Sequence, residues 1–324
     1  MTTPPSGPQG FLQPGRGQRS GCAGCAQAEE ETDLRFAVTN LSRKYTEFAE
    51  VVGRYMSEAG MERAARNAHA VSLAERLARI VGGVETPVGK YPDCALIGQR
   101  NRNGTLDWFC TGVLVHPRVV LTAGHCQDPQ SPINVVALKA VDLQHLQDAE
   151  LIGVRRVRVN PNYRPRVAGN DITVLILRGA ATVDPIPIVQ PEDFAAVHQT
   201  LLVGFGNNDP KSTKGFGRQR EVTVDITNVR LSAGDDLDDA EQSLGFESDL
   251  EFTAGGHGFD SCNGDSGGPA YLEVDGVRKV AGLTSRGTEG FAHPCGDGGI
   301  YTRLDAQRPF INRVLQDAGV HDEL

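Results

Sequence analysis

The chain has 324 residues, of which 39% are hydrophobic and 23% charged, and it carries a net charge of −9 at neutral pH. That acidic balance argues against nonspecific nucleic-acid binding, which draws its affinity from a basic surface. No apolar stretch is long enough to span a bilayer as a helix, and the length suits one enzymatic domain plus an extension.

Residues 1–28 are rich in Pro, Gly, Gln and Ser and are expected to be a disordered tail. They lack the apolar core of a secretory signal, so export by that route is not expected. A different pattern begins at Leu34. Leu34, Val38, Leu41, Tyr45, Phe48, Val52 and Tyr55 recur at alternating steps of four and three, an apolar helical seam. Gly60 follows as a stop, and Met61 to Arg79 suit a second helix with Leu73 and Leu77 inward. Residues 29–79 are therefore predicted to form a helical hairpin. Two readings of it stay open: it packs on itself or on the following domain, or it is a module for an adaptor or for homo-oligomerisation.

From residue 80 the pattern changes to short runs bounded by Gly, Pro and Asn, which predicts many short strands. The first distinctive piece is Arg79-Ile80-Val-Gly-Gly83. The apolar run Val113 to Leu121 leads into Leu121-Thr-Ala-Gly-His-Cys126, which sets His125 beside a cysteine. Asn170-Asp-Ile-Thr-Val-Leu-Ile-Leu177 puts Asp171 at the head of another strand-like run. Gly204-Phe-Gly206 and the alternating strand Glu221-Val-Thr-Val-Asp-Ile226 follow, then the acidic run Asp235 to Glu241, expected to be a solvated loop. Gly258-Phe-Asp-Ser-Cys-Asn-Gly-Asp-Ser-Gly-Gly-Pro269 holds Ser266 between an Asp and two glycines, where the backbone can turn sharply and offer its own N–H groups. After Cys295-Gly-Asp-Gly-Gly-Ile-Tyr301, a helix is predicted over Ala306 to Ala318 with Phe310, Val314 and Leu315 on one face. The ending His321-Asp-Glu-Leu324 spells a retention address that acts on nothing without an entry signal.

A serine hydroxyl is a poor nucleophile until a base takes its proton and donors stabilise the oxyanion that forms. A lone His, Asp or Gly-Asp-Ser-Gly carries little weight. Three such pieces in the order His, Asp, Ser, each bordered by buried-strand composition, point to a nucleophilic triad.

From Ile80 to near the C-terminus, these pieces together resemble the trypsin-like (chymotrypsin-fold) serine peptidases. The resemblance implies an all-β fold of two packed antiparallel six-stranded β-barrels with a C-terminal helix. Residues 80–324 would be the peptidase domain, preceded by a small helical pro-segment. It implies a serine endopeptidase in which Ser266 attacks, His125 moves the proton and Asp171 fixes the imidazole tautomer. The N–H groups of Gly264 and Ser266 would form the oxyanion hole. Asp260 would stand at the bottom of the primary specificity pocket and select Arg or Lys, because a buried carboxylate is costly until a cation arrives. Ser285, Gly287 and Gly299 would line that pocket. Asp265 would pair with the new ammonium of Ile80 after a cut behind Arg79, so the full chain is expected to be a zymogen. The implied partners are protein or peptide substrates with Arg or Lys at the cut, and an activating protease or another copy of the chain. No cofactor and no metal are implied, since the segment Lys139 to Glu150 lacks a full set of the family's calcium-loop carboxylates.

The departures from the family pattern are also informative. The chain has Ala123-Gly124 where the family usually has two alanines, and Arg286 where trypsins place a tryptophan. Subsite preferences therefore do not carry over, and Arg286 is expected to favour acidic or polar groups. The resemblance pairs Cys110 with Cys126 and Cys262 with Cys295. Of the seven cysteines, Cys22, Cys25 and Cys94 remain: either one of the first two bridges to Cys94 and tethers the pro-segment, or all three are free thiols. Two disulfides favour a secreted or periplasmic setting, while the missing signal favours the cytoplasm, and the compartment stays open. Two rival functions remain. One is an intracellular protease recruited and activated through its N-terminal helices, an architecture similar to some bacterial proteases of stress or antiviral defence. The other is a catalytically silent trypsin-like binding protein.

Overall fold

The computed structural model of the protein describes residues 83–320, apart from 166, 209–210, 213, 233, 257 and 289–294. The expected tail, the helical hairpin, the Arg79–Ile80 bond, Cys22, Cys25 and the last four residues lie outside the described residues.

Two closed antiparallel barrels make up the fold. The first contains β2 (Cys94–Arg100), β3 (Leu106–His116), β4 (Val119–Thr122), β5 (Val135–Leu138), β6 (Glu150–Val159) and β7 (Thr173–Leu177), in the order β2-β3-β4-β7-β6-β5. The second contains β8 (Gln199–Gly204), β9 (Arg220–Asn228), β10 (Glu251–Ala254), β11 (Pro269–Val274), β12 (Val277–Gly287) and β13 (Gly299–Arg303). Its order is β9-β10-β13-β12-β11-β8, closed by pairing of β8 with β9. The short β1 (Val84–Glu85) adds to β9, with Val84 opposite Glu221 and Glu85 opposite Arg220.

Every residue of β4 and of β7 is buried. The two faces of each strand serve different cores, because successive side chains leave a strand on opposite sides. Val119, Leu121, Val174 and Ile176 pack between the barrels with Tyr271 and Leu283, while Val120, Leu175 and Leu177 fill the first barrel. That double use is why these runs read as continuously apolar instead of alternating. In β9, by contrast, Val222 and Val224 point into the second barrel while Thr223 and Asp225 face solvent.

Helix α2 (Leu304–Ala318) lies against the core shared by the barrels, burying Leu304, Ile311, Val314 and Leu315. It starts two residues earlier than its sequence pattern suggests, and Phe310 is only partly buried. Gly319 ends it in the left-handed region at φ +68°, a conformation that costs a residue without Cβ little. No helix of the described residues is long and apolar enough to cross a membrane.

One expectation changes and one open alternative closes for Cys94. Within the acidic run, α1 (Asp238–Leu244) forms where a solvated loop was expected, because carboxylates favour the first turn of a helix. Asp235 accepts the N–H groups of Leu231 and Ser232 just before it, and Glu241 accepts that of Ser248. Cys94 is a free thiol buried in the core between the barrels, where its Sγ donates to the Val203 carbonyl at 3.9 Å. A bridge from it to Cys22 or Cys25 would have to open that core.

Candidate active site

His125 sits on one turn of 3₁₀ helix, Gly124–Cys126, directly after β4. Cys126 is bonded to Cys110 on β3 with a Cα–Cα distance of 6.2 Å, so the turn is stapled to the neighbouring strand. Asp171 precedes β7, and the pairing of Thr122 with Thr173 brings the two residues together. The Asp171 carboxylate grips His125 twice: Oδ1 accepts the His125 backbone N–H at 2.9 Å and Oδ2 lies 2.8 Å from Nδ1. Oδ2 also accepts the Ser285 hydroxyl at 2.6 Å. Asp171 is 4% exposed. Burial pushes its carboxyl up, but the hydrogen bonds and charge of His125, joined by the Ser285 hydroxyl, outweigh this and hold it below the usual carboxylate range. An ionised Asp171 keeps the proton on Nδ1, which leaves Nε2 of the exposed imidazole as the acceptor.

Gly124 explains one departure from the family pattern. A Cβ there would come within 3.0 Å of Asp171 Oδ1 and of the Tyr163 ring, so an alanine would crowd this pair.

Ser266 is half-buried on a loop tied to both barrels. On one side Thr111 of β3 donates its N–H to the Ser266 carbonyl at 2.9 Å and its hydroxyl to the Gly264 carbonyl at 2.8 Å. On the other, the Gly267 N–H donates to Thr284 of β12 at 2.7 Å. Gly267 has φ +76°, and a Cβ on it would overlap the Thr122 hydroxyl and the Thr111 carbonyl. The N–H groups of Gly264 and Ser266 meet no acceptor among the described residues. They are two unengaged backbone donors in one turn, and an oxyanion hole needs such donors converging on one point.

Asp265 points away from Ser266, into the second barrel. Its carboxylate is buried and accepts the N–H groups of Gly206 at 2.7 Å and Cys262 at 2.9 Å. It lies over Gly204, where a Cβ would overlap it. Gly204 pairs across the sheet with Arg220, whose buried guanidinium donates to the Gly206 carbonyl at 3.5 Å and the Gly215 carbonyl at 2.5 Å. Burial pushes Asp265 up to about 6 against the two N–H donors and the Arg220 charge.

Asp260, 2% exposed, lies beside the disulfide between Cys262 and Cys295, whose Cα atoms are 5.1 Å apart. Its carboxylate accepts from the Ser261 N–H at 2.7 Å, the Tyr301 hydroxyl at 3.0 Å and the Gly298 N–H at 3.2 Å. Burial dominates and raises it to about 7. Gly287 and Gly299 face one another across β12 and β13, and a Cβ on Gly299 would crowd both Asp260 and the Tyr301 hydroxyl. Ser285 is engaged with Asp171 through its hydroxyl. The Arg286 guanidinium turns to Glu251, Ser285 and the Gly245 carbonyl.

Tyr163, Thr111, Glu251 and Arg220 carry no local signal in the sequence, and of the site's partner residues only Tyr301 lies within a distinctive motif. Their signal is a contact made across the fold. His125 lies close to Cys110 and Cys126, but sulfurs bonded to each other are not thiolate ligands for a metal. Glu150 is engaged by the N–H and hydroxyl of Thr182.

The family model described as Trypsin matches residues 80–311. Among curated proteins, the chain is 30% identical over 251 residues to vitamin K-dependent protein C of Rattus norvegicus, covering 75% of this chain and 53% of that protein. The chain thus spans about half the length of that relative. It is 29% identical to phenoloxidase-activating factor 3 of Holotrichia diomphalia, covering 74% of this chain and 73% of that protein. It is 31% identical to a trypsin of Saccharopolyspora erythraea, covering 70% of this chain and 94% of that protein. Among solved structures, it is similar to neuropsin, a serine protease of mouse brain, with a TM-score of 0.57 and 25% identity over 72% of this chain and 98% of that one.

Proposed function

Because the chain belongs to the trypsin family of serine peptidases, we propose that it is an endopeptidase cutting after arginine or lysine, made as a zymogen that is switched on by cleavage between Arg79 and Ile80. The observation that carries this reading is the two-point grip of Asp171 on His125, with a serine loop whose donors are unoccupied among the described residues.

Ser266 Oγ attacks the scissile carbonyl as His125 Nε2 takes its proton. The N–H groups of Gly264 and Ser266 hold the developing oxyanion, each donor worth ~2.7–4 kcal/mol in the transition state. His125 then gives the proton to the leaving amine, and water repeats the cycle on the acyl-enzyme. Asp171 keeps the ring oriented and stabilises the imidazolium. The buried Asp260 carboxyl gains its ionised state when a guanidinium or ammonium enters, which favours Arg and Lys at the residue before the cut. Asp265 is likewise buried, and the Ile80 ammonium freed by cleavage would supply a cation to it.

In this reading residues 1–28 are a tail, 29–79 a pro-segment or recruitment module, and 80–324 the peptidase. The activator is a like enzyme or another copy, since the residue before the cut is itself an arginine.

The Arg79-cleaved protein should hydrolyse short Arg and Lys amides, and its Ser266→Ala variant none. A folded, cleaved protein that turns over nothing would support the silent binding protein. Turnover of a Phe amide alone would leave the triad and remove the role given to Asp260.

A further inference from the structure

Glu251 opens β10 with no solvent exposure, yet it carries a carboxylate. Oε1 accepts the Gly169 N–H at 3.0 Å, two residues before Asp171, and Oε2 accepts the Glu247 N–H at 3.0 Å. The Arg286 guanidinium meets the same two oxygens as a fork, at 2.6 and 2.9 Å. Nη1 of Arg286 also donates to Ser285 Oγ at 3.1 Å, and Ser285 Oγ in turn contacts Asp171 Oδ2. A hydroxyl that already accepts from a guanidinium has its own proton free to point at the carboxylate beyond.

We propose that the Glu251–Arg286 ion pair is a positioning device for Asp171, holding it from two sides. This rests on the peptidase reading of Asp171. Through Gly169, Glu251 fixes the backbone that delivers Asp171; through Ser285, Arg286 fixes the direction of the hydroxyl on its carboxylate. Gly169 itself has φ +79°, a conformation that side chains rarely adopt. The Glu251 carboxylate accepts the N–H of this glycine and so ties the loop at that point. A buried ion pair contributes little net stability, since desolvation offsets the attraction, so geometry is the better account of its placement.

The same contacts replace the expectation that Arg286 prefers acidic substrate groups. Its two terminal nitrogens serve Glu251, Ser285 and the Gly245 carbonyl, and its charge is neutralised by Glu251.

The test uses Arg79-cleaved protein. Removing Arg286 alone would strand a buried Glu251, so the informative variant is Glu251→Gln/Arg286→Met, which buries no unpaired charge. A short Arg amide and the proton resonance of His125 Nδ1–H report on the site. The double variant should melt as a folded protein, lose roughly 10- to 100-fold in kcat, and keep its KM within about twofold. Its Nδ1–H resonance should broaden or move upfield. Arg286→Lys keeps the charge but not the fork, and should recover only part of kcat. The proposal is overturned by a folded double variant with wild-type kcat and an unchanged resonance, by an effect on KM alone, or by full activity of Arg286→Lys. If the wild-type protein turns over nothing, the peptidase reading fails on its own, and the resonance still decides whether the pair positions Asp171.

Discussion

At the scale of single residues, the site is organised by buried carboxylates whose surroundings drive them in opposite directions. Asp171 is held below the usual range by donors and the nearby imidazole, whereas Asp260 is raised to about 7 mainly by burial. The sign of the second shift has consequences. Between the ordinary carboxylate value and about 7, folded Asp260 keeps a proton that the unfolded chain has lost. Stability therefore falls as pH rises through that window, and Asp260→Asn should melt higher than the wild type at pH 8, with the gain vanishing near pH 4. A cationic arylamidine should conversely bind the wild type more tightly as pH rises from 5.5 to 8, releasing a proton. Calorimetric titrations in buffers of different ionisation enthalpy measure that release, and pH-independent binding without it would remove Asp260 from the pocket. Asp260 was proposed for the pocket from the resemblance to the trypsin-like peptidases, which places a carboxylate six residues before the serine. Its partner Tyr301 was quoted without a role, because a hydrogen bond spanning forty-one positions leaves no local trace.

At the scale of elements, β4 and β7 carry His125 and Asp171 on adjacent ends of a continuously buried pair of strands. Their mostly apolar composition announced strands, but not that alternate residues serve two different cores. The histidine turn packs Ala123 and Cys126 into the first-barrel core and is stapled there by the bond from Cys126 to Cys110, sixteen positions apart. Replacing both cysteines with alanine should cost about 2–4 kcal/mol in denaturant unfolding, as expected for a loop of that length. The accompanying loss of turnover should exceed the loss of folded protein, because the turn aims the ring. The acidic run shows the opposite limit of sequence reading. Its charge suggested only solvation, yet Arg230 and the N–H groups around it let α1 form.

At the scale of the whole molecule, the serine loop is an object shared between barrels, tied to β3 by Thr111 and to β12 through Gly267. Asp265 ties the same loop to β8 and β9 through Gly206 and the charge of Arg220. In the zymogen reading, this is where a cut far upstream acts. Asp265→Asn in the cleaved protein should therefore cripple turnover of an Arg amide while leaving the thermal transition cooperative. Arg79→Gln should leave the uncut chain nearly silent. Undiminished activity of Asp265→Asn would mean that activation does not run through Asp265, and of Arg79→Gln that it does not need the cut there.

The sequence by itself determined the ordered triad candidates His125, Asp171 and Ser266, because each lies in a short run with its own local chemistry, and its resemblance to the trypsin-like peptidases supplied the barrel class, both disulfide pairs and the place of Asp260. Only the tertiary structure decided that the Arg286 guanidinium meets Glu251, that Glu251 accepts the N–H of Gly169 two residues before Asp171, that Cys94 is shut inside the core, and that Gly124 lies against Asp171 and Tyr163. Those are meetings of side chains distant in sequence. An Arg on a strand end looks the same in sequence whether it reaches for substrate or for a buried carboxylate, until folding brings the partner to it.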